Sequence, residues 1–117
     1  MTGPGRQAAL IAGLRAWTHG HDPHVRAAAE LLIEHDVWLR RADFTRACVR
    51  SRGRETWIDW QAARAFADAG AVASTSEMAV MDLAVALGEN RYRLPIMGAA
   101  NARSIATAVA RAAGVTP

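Results

Sequence analysis

The sequence contains no Lys, and all 14 of its basic side chains are Arg. A phosphate-cradling loop of the G-x-x-x-x-G-K type is therefore excluded, because the chain has no ammonium to supply it. A single cysteine, Cys48, cannot close an internal disulfide, which points to a reducing, cytoplasmic setting. No apolar run approaches the ~20 residues that cross a bilayer. The first residues also lack the charged-then-apolar order of a secretory leader, so no membrane partner is expected. There is no G-x-S-x-G nucleophile elbow, internal repeat or heptad run. Aromatic residues make up only 6% of the chain, yet four of them are Trp, so a few indoles must supply most of the bulk of any core.

What is present fits one folded domain. The 117 residues are 51% hydrophobic and 21% charged, a balance outside the range of disordered chains. Exclusive use of Arg, with Ala the commonest residue, is the mark of GC-rich coding and suggests a GC-rich bacterium, its phages or its mobile elements.

The spacing of apolar residues predicts short helices. Leu10, Ile11, Leu14 and Trp17 form one stripe over 7–17, ended by His19-Gly20-His21. Asp22-Pro23 reads as an N-cap followed by a first-turn proline, opening a helix to His35 that buries Val25, Ala28, Ala29 and Leu32. Val37-Trp38-Leu39 is a short link, and Asp43 reads as the cap of a helix with Phe44, Ala47 and Cys48 inside. Ser51 to Arg54 reads as a loop. Thr56-Trp57-Ile58-Asp59 resembles a capping box with Asp in the Glu position, opening a helix closed by Gly70. The alternative is a short strand over 57–60, since aromatic and β-branched residues favour one. Ser74-Thr75-Ser76-Glu77 is a full capping box for a central helix ending at Gly88. Glu89 to Met97 is an extended connector or edge strand. A last helix from Gly98 to Ala113 offers Ile105, Ala108, Val109 and Ala112 to the core.

Together these elements predict an all-α domain, a small irregular or orthogonal bundle of about five to six short helices with room for one short extended segment. It spans residues 6–114 and is flanked by mobile ends at 1–5 and 115–117.

Candidate chemistry is sparse. His19-Gly20-His21-Asp22-Pro23-His24 has the residue types of a metal site, and His35 is a distant fourth ligand for a metal-dependent enzyme. Its order nevertheless differs from the H-x-H-x-D-H box of metallo-β-lactamase-like hydrolases, and Asp22 and His24 have ordinary explanations in the helix start. Cys48 falls on an apolar stripe and reads as a small core residue rather than a nucleophile. Glu30 and Glu34 share a helix face with Arg26, as in a solvated ladder. No catalytic residue, metal ligand or cofactor is assigned, and a non-enzymatic role is expected.

The charge distribution carries the functional reading. Arg40, Arg41, Arg46, Arg50, Arg52 and Arg54 stand against Asp43 alone, a local +5 in a chain whose total is +3. Arg46 and Arg50 share a helix face at i, i+4 in the predicted helix. Trp60, two residues off the Ile58/Ala62 face, is expected to be partly exposed beside this patch, whereas Trp17, Trp38 and Trp57 fit the core. These seven residues form the candidate surface for an acidic protein partner. Nucleic acid bound by the same arginines, with the protein monomeric or a homodimer, is the alternative. Against it stand the modest net charge and the lack of a tight Gly-containing helix-turn-helix.

Overall fold

Pro23, in the first turn of a helix where no backbone donor is needed, starts the best-defined buried helix of the chain. The computed structural model describes residues 4–115, and the expected mobile ends lie mostly outside them. Within that span the order is α1 (Pro4–Thr18), α2 (Pro23–His35), a 3₁₀ turn (Trp38–Arg40), α3 (Ala42–Cys48), β1 (Val49–Arg52), β2 (Glu55–Ile58), α4 (Trp60–Ala69), α5 (Thr75–Gly88), a second 3₁₀ turn (Leu94–Ile96) and α6 (Ala99–Ala112). A small, irregular, mostly helical bundle is the resulting fold, as its patterning predicts.

α2 and α5 form the central pair. Val25, Ala28, Ala29, Leu32 and Ile33 of α2 are buried, as are Met81, Ala84, Val85 and Ala86 of α5. Small residues on both faces let the backbones come close. α5 begins with a complete capping box: Ser74 accepts from the Glu77 N–H at 3.2 Å, and the Glu77 carboxylate accepts from the Ser74 N–H at 2.8 Å. Arg64 ties α4 to α5, donating to Asp82 at 2.8 Å and to both carboxylate oxygens of Glu89 at 3.1 and 3.3 Å.

Four expectations need correction. Residues 49–58 are an antiparallel hairpin, not a loop running into a helix start. Val49 faces Ile58, Arg50 faces Trp57, Ser51 faces Thr56 and Arg52 faces Glu55. Gly53 has φ +63° at the first turn position, the conformation a two-residue II′ turn requires. α4 therefore starts later, at Trp60, with the Asp59 carboxylate accepting from the Ala62 N–H at 3.0 Å. The N-cap position of α3 is Arg41 and not Asp43, and Asp22, although it holds the N-cap position of α2, makes no capping bond with its side chain. The connector before α6 contains a 3₁₀ turn, because Pro95 fixes its backbone and removes a ladder donor. Finally, α6 buries none of its residues: Ile105 and Val109 are exposed.

Two glycines set close approaches. Gly13 of α1 lies over Thr56 of β2, where an added Cβ would stand 3.1 Å from the threonine side chain. Gly88, at the end of α5, lies under the Trp60 indole, and a Cβ there would overlap the ring. Gly88→Ala is expected to destabilise the protein by about 1–3 kcal/mol, the usual cost of overpacking. Urea unfolding measures this loss, and adding Trp60→Leu should return part of it. A double variant no more stable than Gly88→Ala would contradict the packing described.

Candidate functional site

Trp38 fixes the place where the basic segment begins. It is fully buried, and its indole N–H donates to the Glu77 carbonyl at the start of α5 at 2.9 Å. Its ring meets Phe44 of α3 and Phe66 of α4 at 6.0 Å, and those two phenyl rings meet edge-on at 5.5 Å. α3 is thus held from its inner side, and its outer side carries Arg46.

The six arginines divide into two groups. Arg40 pairs with Asp36 at 2.8 Å, and Arg50 approaches Asp59 at 3.6 Å. Arg41 binds both oxygens of Asp43 at 2.7 and 3.0 Å, donates to the Val72 carbonyl and lies 4.6 Å over the Trp38 ring. Its guanidinium holds the Asp43 carboxyl below the usual carboxylate range. Arg46, Arg52 and Arg54 are exposed and make no ion pair among the described residues. Arg46 projects from α3, while Arg52 and Arg54 flank the hairpin turn. Arg46 and Arg50 do not share a helix face, because the helix ends at Cys48.

Two grooves flank the contact between α1 and the hairpin, and Thr56 borders both. The first, about 650 Å³, runs between α1, α3 and β1. Leu10, Leu39 and Val49 form its apolar part, and Arg6, Arg40 and Arg46 line it with no carboxylate among them. Gln7 also lines it, and its buried amide nitrogen has no acceptor among the described residues. The second groove lies between the end of α1 and β2, where Trp17 and Trp57 form walls beside Arg54 and Glu55. Trp60 lines neither groove; it is half-buried, with its ring against Gly88 and 6.4 Å from Trp17. Sequence reading placed Trp17 and Trp57 in the core: Trp17 does pack against it while also walling the second groove, Trp57 does not, and the α1 contribution to both grooves was missed. The alternation Val49-Arg50-Ser51, with Thr56 and Ile58, was the available signal for the hairpin that creates them.

The other candidates are dispersed. His21 packs edge-on against Trp17, and the Nδ1 of His24 lies 3.2 Å from the Leu87 carbonyl. Among the described residues no three His, Cys, Asp or Glu side chains gather as a metal site. Cys48 is fully buried, and burial pushes its thiol up to about 11. No helix among the described residues is long and apolar enough to cross a membrane. Comparison with protein-family models, curated proteins and solved structures finds no match.

Two outcomes follow from these environments. Cys48 should resist alkylation at pH 8 in the folded protein and react only on unfolding, as mass spectrometry with and without urea will show; rapid native labelling would contradict its burial. Asp43 has a folded pKa below its unfolded value, so its stabilising contribution is present above about pH 4 and fades as the pH falls through the folded value. Acid unfolding of Asp43→Asn should accordingly be less steep below about pH 4 than that of the parent protein.

Proposed function

We propose that the protein is a non-enzymatic binding module that takes an acidic, partly apolar segment of a partner protein into the groove between α1, α3 and β1. One observation carries this reading: an apolar floor bordered by arginines, with no carboxylate among the lining residues. A peptide with leucine-like side chains and carboxylates satisfies both parts at once. The phosphate backbone of a duplex would leave the floor formed by Leu10, Leu39 and Val49 without a partner. Arg46 is the principal cation, because it is exposed and Arg40 is shared with Asp36.

A second reading, nucleic-acid binding, is favoured by the hairpin tip, where Arg52 and Arg54 stand exposed on a two-stranded ribbon of the kind a DNA major groove admits.

Fluorescence anisotropy separates the two. A labelled peptide alternating Leu with Asp and Glu should bind, and its charge-reversed Lys counterpart should not. Arg46→Glu should weaken the acidic peptide by about tenfold or more, while Arg103→Glu on α6 leaves it unchanged. Duplex DNA that binds more tightly than the peptide, with a steep salt dependence removed by Arg52→Ala and Arg54→Ala, would replace the first reading by the second.

A further inference from the structure

The groove between the end of α1 and β2 has a chemistry of its own. Trp17 and Trp57 wall it, Gly13 and Gly20 also line it, and Arg54 and Glu55 stand along it. Its volume of about 650 Å³ lies within the roughly 300–1,000 Å³ range of small-molecule sites. The two indoles do not stack on each other; Trp17 instead meets His21 at 5.3 Å and Trp60 at 6.4 Å. Neither the Trp17 nor the Trp57 N–H has an acceptor among the described residues, in contrast to Trp38, whose N–H is bound by the Glu77 carbonyl. Arg54 is exposed at the hairpin turn and makes no ion pair there.

We infer that this groove binds a nucleotide, with its base against the indole of Trp57 or Trp17 and its phosphate at Arg54. Every base has a π face that stacks on an indole, and stacking of this kind tolerates any base. A planar guanidinium free of other partners makes paired hydrogen bonds to phosphate oxygens. Glu55 supplies the complementary function: its carboxylate accepts from sugar hydroxyls or from an amino group of the base. The same carboxylate offsets part of the charge of Arg54, so a bare phosphate is a poor ligand and the aromatic half of the molecule contributes much of the affinity. A neutral sugar could use the indoles and Glu55 but has no group that answers the charge of Arg54. None of Trp17, Trp57, Arg54 and Glu55 lines the groove proposed for the acidic partner, so the two sites stand or fall separately.

Base and phosphate reach the groove in two forms, a free mononucleotide or a single strand of nucleic acid. The full chain is titrated with AMP, adenosine, ribose 5-phosphate, a short oligoadenylate and a neutral oligosaccharide, following tryptophan quenching and heat release. AMP should quench saturably and bind about tenfold more tightly than adenosine or ribose 5-phosphate. Arg54→Ala and Trp57→Ala should each weaken AMP by about tenfold, and Arg46→Glu should not. Circular dichroism checks that Trp57→Ala folds; if it does not, Trp57→Phe and the exposed Arg54→Ala carry the test. Oligoadenylate binding with the same residue dependence, without AMP binding, assigns the site to a strand, and AMP binding assigns it to the free nucleotide. No saturable quenching by either ligand, affinity indifferent to Arg54→Ala, or an oligosaccharide that binds better than AMP would overturn the inference.

Discussion

The indole of Trp38 is the joint on which the rest of the structure depends. It sits where the chain leaves α2, and it fastens that turn to α5 by one hydrogen bond and to α3 and α4 by aromatic contacts. A short helix such as α3 has little stability of its own, since helices of its length are marginal without tertiary packing. Its orientation is therefore set by the rings of Phe44 and Phe66 and by the indole. The hairpin leaves directly from the end of α3, so the directions of Arg46, Arg52 and Arg54 all descend from this one buried cluster. Arg41 completes the joint from outside, covering the Trp38 ring while its carboxylate partner accepts from the first-turn N–H of Phe44.

Net charge is a poor guide to where this protein is positive. Half of the mid-chain arginines work on the fold itself, holding Asp36, Asp43 and Asp59 at the ends of helices. Such pairs on exposed surface contribute little stability individually, yet they remove those guanidinium groups as uncommitted anion receptors. What remains is a smaller set with distinct addresses: one arginine beside an apolar groove and two at a hairpin tip. Geometry thus turns a compositional excess into two separate chemical environments, one cationic over aliphatic carbon and one aromatic with mixed charge.

Helices with strong local signals were legible in the sequence. Ser74 and Glu77 announce α5, Pro23 announces α2 and Gly70 closes α4, because each acts through its own backbone neighbours. The hairpin was legible only as an alternative. Trp57 and Ile58 favour a strand, but Thr56 and Asp59 imitate a helix start, and the deciding contact is between Gly13 and Thr56, more than forty positions apart. The candidate site shares that difficulty. The run of arginines is visible in one dimension, and Asp36 stands only four positions before Arg40, whereas the pairing of Arg50 with Asp59 follows from the hairpin and the meeting with α1 depends on tertiary approach. Trp17 and Trp57 show the same limit from the opposite side: aromatic residues at helical or strand spacing read as core, and only the placement of α1 over β2 leaves them facing a groove.

α6 stands apart from this interdependence. None of its residues is buried, and its two largest aliphatic side chains face solvent. Unwinding it uncovers no part of the cluster built on Leu32, Trp38 and Met81. Its amide protons should therefore exchange through a local opening whose free energy is unrelated to that of the whole domain. Burial alone thus divides the molecule into a packed body and a last helix that is expected to open on its own.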